Sequence, residues 1–367
     1  MKKTRILIVG GFPPKGSKIF GGIVTSCQAL IESSFSDKFD LITIDSTQKS
    51  NPIPSLYIRS IYAFKRLLKY ILKILTKRPG VVILFPAIGA SLIEKGVMSW
   101  IAYILGIPVL MFPRGGPLLN QVHQSSFAKC WIRMVFSSAK KVLCQGPSWK
   151  NFAMNTLRFS DEDSPIVHNW TATDELLKIG KKKLSIKQSS PLNIIYVGWL
   201  EREKGIFDLM EVCINLRKNY KFNLSIAGGG SCEKAIKTII DNNDIVNVDF
   251  YGWVDRDQLK YILEKADILV LPSWAEGFPN AIIEAMASGV AVIVSSVGNI
   301  PDILNDQSEV LLVPPKNKNA LEAAMIKLIE DDKLRSKLSE NGYKFAVNNF
   351  SVGRAVNKLE KIIKSIA

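Results

Sequence analysis

Eleven short apolar runs, each of four to six residues, punctuate this chain and are separated by longer stretches of helical period. In the first half they are Arg5–Val9, Phe39–Ile44, Val81–Phe85, Pro108–Phe112 and Lys141–Cys144. In the second half they are Asn193–Val197, Asn223–Ala227, Val248–Tyr251, Ile268–Leu271, Ala291–Ser295 and Val310–Val313. Gly, Pro or polar residues bound each run, which reads as strand. Strand and helix in alternation, twice over, predict an α/β chain of two doubly wound, Rossmann-like parallel sheets. A length of 367 residues suits two such domains. The first is expected over 1–172 and the second over 191–351. Residues 173–190, rich in Lys and Ser and weakly periodic, read as a linker. In such folds ligands bind beyond the carboxyl ends of strands, where helix N termini present free N–H groups. Two sheets whose strand ends face each other make a cleft, and chemistry is expected there.

Composition closes off several classes. With 47% hydrophobic and 22% charged residues the chain is globular rather than disordered. The apolar run at Ile6–Val9 is too short for a leader and reads as a buried strand. Val97–Pro113 is uncharged, but Gly106 and Pro108 split it, so a buried helix, a turn and a strand are expected and no transmembrane helix. Cys27, Cys130, Cys144, Cys213 and Cys232 stand singly in apolar contexts and read as reduced thiols of a cytosolic chain. His123 and His168 are the only histidines, which disfavours a His-rich metal site, and His168 reads as structural. Of two DxD patterns, Asp161–Asp163 lies in a polar loop. Asp255 reads as a helix cap, with Arg256 opposing any cation at Asp255–Asp257. No metal is expected.

The formal charge of +15 is uneven. Residues 1–190 hold 27 Lys and Arg against 10 Asp and Glu, a net +17; residues 191–367 hold 21 against 23, a net −2. Residues 46–93 contain eight bases and no acid. Within them, Tyr57–Lys77 carries Ile61, Phe64, Leu68, Ile71, Leu72 and Leu75 at helical spacing, with Arg66, Lys69, Lys73 and Lys77 on another face. Two readings stand. One is a core-facing helix with a solvated basic side. The other is attachment to an anionic membrane surface, where each nearby base contributes about 1 kcal/mol. Nucleic acid is not expected as a partner, because these bases alternate with Ile and Leu rather than with stacking aromatics.

The densest chemistry follows the run Ile268–Leu271. Glu276 falls in the strand-to-helix loop, Pro279 and Asn280 are helix-start residues, and Glu284 falls in the first or second turn. Carboxylates there can accept hydrogen bonds from sugar and ribose hydroxyls, at about 1.5–3 kcal/mol each. N–H groups near a helix start, at Phe278, Asn280 and Ala281, suit a diphosphate. On physics alone, Glu276 is as open to a helix-capping role as to a ligand role. Gly10, Gly11, Gly21 and Gly22 let backbone approach phosphate closely, while the absence of GxGxxG counts against a nicotinamide enzyme. Gly228–Gly230 reads as a tight structural turn. Arg114, in Phe112-Pro113-Arg114-Gly115-Gly116 at a strand end, either contacts a substrate or fixes its loop.

Glu276 and Glu284, with seven residues between them, resemble the E-x7-E signature of family 4 retaining glycosyltransferases, which have the GT-B fold. The flanking residues match as well: Ala266-Asp267, Pro272, Gly277-Phe278, Glu284–Gly289 and Val297–Asp302. The likeness is close over about 190–350 and looser in the first half. It implies that Glu276 holds the donor sugar and Glu284 the nucleotide ribose. The segment Tyr196–Gly205 resembles G-R-L-x-x-x-K-G, which implies Gly198 near the donor and Lys204 as the cation on its diphosphate. A fixed ammonium there stabilises charge on the leaving group. Trp199 departs from the pattern, standing where an arginine is usual, and Arg202 is the candidate to compensate. Gly22, Trp253, Gly277, Phe278, Pro279 and Asn280 are the other donor contacts implied. Arg114 resembles the Pro-Arg-Gly of some surface-polysaccharide transferases and joins Glu276 and Lys204 as a catalytic candidate.

The resemblance further implies a nucleotide-sugar as substrate, no cofactor, and transfer with retention and without a metal. The final helix, about Val352–Ile366, is expected to pack back on the first domain, as in this fold. The basic first domain points to a polyprenyl-diphosphate-linked or other glycan acceptor at an anionic membrane surface. The expected setting is O-antigen, capsule or exopolysaccharide assembly by a cytoplasmic protein peripheral on the inner face of the plasma membrane. Two alternatives are a GT-B relative acting as epimerase or phosphorylase, and a catalytically silent protein that binds nucleotide or glycan.

Overall fold

Parallel strands covered by helices on both faces run apolar without alternation, and all eleven apolar runs are strands in the computed structural model. It describes residues 3–14, 21–47, 54–114, 118–119, 126–186, 191–243 and 247–367. Gly115, Gly116 and His123 lie outside the described residues. One sheet holds β1 (Arg5–Gly10), β2 (Asp40–Asp45), β3 (Val81–Leu84), β4 (Val109–Met111) and β5 (Lys141–Val142) in the order β2-β1-β3-β4-β5. The other holds β6 (Leu192–Val197), β7 (Phe222–Ala227), β8 (Val248–Gly252), β9 (Ile268–Leu271), β10 (Ala291–Ser295) and β11 (Leu311–Val313) in the order β11-β10-β9-β6-β7-β8. Every pairing between these strands is parallel. Strand order reverses between β1 and β3 in the first sheet and between β6 and β9 in the second. Those are the topological switch points where doubly wound sheets bind ligands.

The chain divides into two units, Met1–Trp170 with Val352–Ala367, and Thr171–Ser351. Thr171 and Ala172 fall in the second unit rather than the first, since the Ala172 N–H donates to the Phe350 carbonyl at 3.3 Å. The final helix, Val352–Lys364, buries Val356, Leu359 and Ile363 in one cluster with Ile6, Ile8 and Trp170.

Within the expected linker 173–190, Asp174–Lys183 is helical rather than weakly structured. Thr173 caps a helix over Asp174–Lys183, accepting from the Leu176 N–H, with acids in its first turn and three lysines in its last. That charge order suits the helix dipole. The apolar side is short, so its period is faint. The helix packs within the second unit: a Cβ added at Gly180 would lie 2.3 Å from the Ala287 carbonyl oxygen, and Tyr343 donates to the Leu177 carbonyl at 3.1 Å.

In the first unit one of two open readings is excluded for one helix, and an expectation is corrected for another. The helix Leu56–Lys77 fully buries Tyr70 and Ile74, while its Phe64, Leu68, Leu72 and Leu75 stripe is exposed, so that stripe does not face the core. Ile71, from the expected apolar set, packs on the core with Leu67 and Ile74, and polar and basic side chains share that inner side. Arg66 pairs with Glu94 at 2.5 Å, Lys73 donates to the Thr43 carbonyl at 2.9 Å, and Tyr70 donates to the Met98 carbonyl at 2.8 Å. The helix Ala90–Ile104 was expected to be buried but exposes Ile93, Val97, Trp100, Tyr103 and Ile104. An uncharged run cannot by itself distinguish burial from an outward apolar face. Among the described residues, no helix is long and apolar enough to cross a membrane.

Replacing Gly180 with Ala should overpack the helix Asp174–Lys183 against Ala287. We expect a loss of about 1–3 kcal/mol in unfolding free energy, measured by denaturant titration; a true linker residue would show no loss.

Candidate active site

The two loops that leave the switch point of the second sheet carry Lys204 and Glu276. After β6 the chain is pinned at once. Tyr196 donates its hydroxyl to the Trp199 carbonyl at 2.7 Å, and the Leu200 N–H donates to the Gly229 carbonyl at 3.0 Å. A short 3-10 turn, Arg202–Lys204, then ends at Gly205, whose φ of 70° is left-handed. A Cβ on Gly205 would sit 2.0 Å from the Pro272 carbonyl oxygen. Only glycine lets the loop after β6 lie this close to the loop after β9. The Trp274 N–H donates to the Glu203 carbonyl at 2.7 Å and closes the same contact.

This packing brings Lys204 Nζ to 2.7 Å from Glu276 Oε1. Ser273 Oγ donates to the same oxygen at 2.9 Å, while Oε2 has no hydrogen-bond partner among the described residues. The pair is shielded but reachable, with 23% of the Lys204 side chain and 12% of the Glu276 side chain exposed. Behind Glu276, Gly298 adopts φ 59°, and a Cβ there would lie 2.1 Å from the Glu276 carbonyl oxygen. The Asn299 N–H donates to the Gly277 carbonyl at 2.9 Å. The catalytic loop candidate is thus clamped from both sides.

Pro279 precedes the helix Asn280–Ala287 in extended conformation and supplies no side-chain cap. The Phe278 ring packs on Phe350, ring centroids 5.3 Å apart, so this residue can offer a ligand only its backbone. Glu284 falls in the second turn and is buried. Burial pushes its carboxyl up to about 7, against an opposing pull from Arg256. A buried carboxylate without hydroxyl donors is costly, so burial favours the protonated form of Glu284.

Trp199, in the place of the usual arginine, meets Trp253 edge to face with centroids 4.7 Å apart. Gly229 lies against the Trp253 indole, where a Cβ would come within 2.4 Å of Nε1. Arg202 is exposed on the 3-10 turn. Lys204 is therefore the cation that the fold holds against Glu276. Asp255 caps the helix Arg256–Lys265 through a capping box with Gln258. Asp161 and Asp163 are engaged by Lys150 at 2.6 Å and Lys141 at 2.8 Å. Among the described residues no three His, Cys, Asp or Glu side chains are grouped to hold a metal.

The remaining candidates belong to the first unit. Gly22 is exposed at the start of the helix Gly22–Ile31. Arg114, beyond β4, donates to Asn169 Oδ1 at 2.5 Å and Ser26 Oγ at 2.8 Å, and lies 5.0 Å from the Phe112 ring centroid. Burial lowers its guanidinium to about 10. These contacts favour the loop-fixing reading of Arg114. His168 Nδ1 lies 2.7 Å from the Gln145 carbonyl oxygen. The residues that sequence reasoning missed are Ser273, which adds a donor to Glu276, and the Trp274–Asp208 bond at 2.8 Å that fixes the same loop. Ser273 stands three residues before Glu276, close enough to have been suspected.

Residues 180–345 match the family model of glycosyl transferases group 1. The whole chain is 23% identical over 362 residues to an uncharacterized glycosyltransferase of Methanocaldococcus jannaschii, covering 95% of each. Over 158 residues it is 32% identical to the amylovoran biosynthesis glycosyltransferase AmsK of Erwinia amylovora, which is 41% of this chain and 39% of that one. Three other curated relatives are matched over 58–63% of their own length. Among solved structures, sucrose-phosphate synthase of Thermosynechococcus elongatus aligns with a TM-score of 0.75 at 17% identity over 99% of both chains. Anabaena HepE in complex with UDP-glucose aligns with a TM-score of 0.69 at 14% identity, covering 98% of this chain and 99% of that one. At such identities the structures speak for the fold, two Rossmann-like domains of the GT-B type. With the family match over its second domain and relatives that share the activity in name, the chain is a glycosyltransferase carrying a group 1 domain.

Proposed function

We propose that the chain transfers a sugar, with retention, from a nucleotide-sugar to a lipid-linked glycan, at the cytoplasmic face of a membrane and in the assembly of a bacterial surface polysaccharide. The Lys204–Glu276 pair at the β6/β9 switch point carries this reading. A donor diphosphate entering there gives Lys204 a second anion to neutralise and leaves Glu276 free to accept from a sugar hydroxyl. The backbone N–H groups of Phe278, Asn280 and Ala281 add positive potential near the helix N terminus. HepE, a structural neighbour, is described in complex with UDP-glucose, and the relative AmsK is named for amylovoran biosynthesis. The net +17 of residues 1–190 suits an anionic, diphosphate-linked acceptor.

In the reaction, the acceptor oxygen bonds to the anomeric carbon on the face that the nucleotide leaves. The bond from that carbon to the diphosphate oxygen breaks, and the acceptor proton passes to the departing diphosphate. Lys204 stabilises the negative charge that grows on the leaving group. Because a fixed ammonium supplies this charge, the reaction requires no metal. The test is transfer to a polyprenyl-diphosphate-linked acceptor with the product followed by NMR. We expect the donor's anomeric configuration in the product, no inhibition by EDTA, and a drop of about 10²–10³ in kcat for Lys204→Ala. Inversion would contradict retention. Donor turnover with phosphate alone, or epimerised donor without transfer, would favour the phosphorylase or epimerase alternative. A Lys204→Ala enzyme of wild-type rate would remove the diphosphate site.

Glu284 gives the site a pH signature. Its folded-state value, about 7, lies above its ordinary value of 4.5, so the folded chain holds a proton that the unfolded chain has lost. The apo protein therefore loses stability as pH rises from about 4.5 to about 7. Ribose hydroxyls donate to the carboxylate and favour its ionised form. Donor affinity should therefore strengthen as pH rises through about 7, with release of a proton on binding. Calorimetric titration in buffers of different ionisation enthalpy checks this; Glu284→Gln should bind the donor more weakly and lose the pH dependence.

A further inference from the structure

Two neighbouring helices of the first unit turn apolar stripes outward. On Leu56–Lys77 the stripe is Phe64, Leu68, Leu72 and Leu75, at 63%, 50%, 63% and 54% exposure. Their spacing of four, four and three residues sets them along a single line of the helix. On Ala90–Ile104 it is Ile93, Val97, Trp100 and Ile104, spaced four, three and four, with Ile104 at 76% exposure. Tyr103 meets Trp100 edge to face, ring centroids 5.7 Å apart, and both are exposed. The two helices are fastened to each other by the Arg66–Glu94 ion pair and the Tyr70–Met98 hydrogen bond. Leaving aliphatic and aromatic surface in water costs about 25 cal/mol per Å², and apolar residues exposed in stripes rather than scattered singly mark an interaction site.

The charge says what covers it. Arg59, Lys65 and Lys69 are exposed on the first helix, and residues 46–93 contain no acid. Lys65 and Lys69 stand about 100° and 140° round the helix from Phe64, at the edge of the apolar stripe rather than opposite it. A second copy of this chain would bring like charges together at that edge. A bilayer with anionic headgroups takes up both features, since aliphatic side chains enter the acyl boundary, Trp and Tyr sit at headgroup level, and lysines pair with phosphate.

We propose that these two helices form a monotopic docking surface for an anionic lipid bilayer, in which Phe64, Leu68, Leu72, Val97, Trp100 and Ile104 insert and Lys65 and Lys69 bind lipid phosphate. This deepens the proposed function and rests on its membrane setting, but its test requires no sugar transfer. The full chain is sedimented with phosphatidylcholine vesicles, and with the same vesicles containing phosphatidylglycerol, at low and high salt. We expect binding to the anionic vesicles, weakened by salt. The Lys65→Glu/Lys69→Glu variant should bind them roughly thirtyfold more weakly or worse, from two bases near the surface. The Leu72→Asp/Ile104→Asp variant should lose binding while keeping the wild-type melting temperature and donor affinity, since both side chains are exposed.

Wild-type protein left in the supernatant, or variants that partition like wild type, would overturn the proposal. So would a dimer in sedimentation velocity that Leu72→Asp/Ile104→Asp dissolves while vesicles bind neither form. Vesicle binding without transfer to a lipid-linked acceptor would leave the docking surface standing and remove the lipid-linked acceptor instead.

Discussion

The close approach of two backbone segments, Gly205 against Pro272, underlies the chemistry of the second domain. The strand order of a doubly wound sheet opens a crevice where it reverses, here between β6 and β9. A crevice alone does not hold charge in register. The absence of a side chain at Gly205 lets the loop after β6 touch the loop after β9, and the bond from the Trp274 N–H to the Glu203 carbonyl locks them. Lys204 and Glu276 meet as a consequence. A preorganised ammonium and carboxylate need no reorganisation when charge develops beside them, which is where electrostatic stabilisation is most effective.

The same domain carries a strain of another kind. Glu284 is buried deeply enough to lift its proton affinity by a large margin. A structural residue at that place would be apolar. A carboxyl retained where it costs stability is the kind of local inconsistency that marks a functional position. In the first unit the inconsistency lies outside, where helices with apolar outer stripes and basic flanks are anchored from within by Tyr70, Ile74, Leu92, Met98 and the Arg66–Glu94 pair.

Strands were legible in the sequence because buried parallel strands leave uninterrupted apolar runs between turn residues; the order in which they pair, and with it the switch points, was not. The loop positions of Glu276 and Lys204 followed directly, as did the cap at Asp255. What escaped depended on partners distant in the chain. The helix Asp174–Lys183 buries little of itself, so its period is faint, although Thr173, two acids and three terminal lysines spell its ends. The direction of the apolar stripe on Leu56–Lys77 is invisible to periodicity, which reports an amphipathic helix but not which face meets the core. The bond of Ser273 to Glu276 and the pairing of Trp199 with Trp253 depend on side-chain directions that spacing does not encode.

A crystal structure with a nucleoside diphosphate bound would locate the donor site relative to the Lys204–Glu276 pair. The diphosphate should lie within hydrogen-bonding distance of Lys204 Nζ and of the Phe278, Asn280 and Ala281 backbone N–H groups, with the ribose on Glu284. A diphosphate bound elsewhere on the second domain, with the Lys204–Glu276 pair untouched, would contradict this placement.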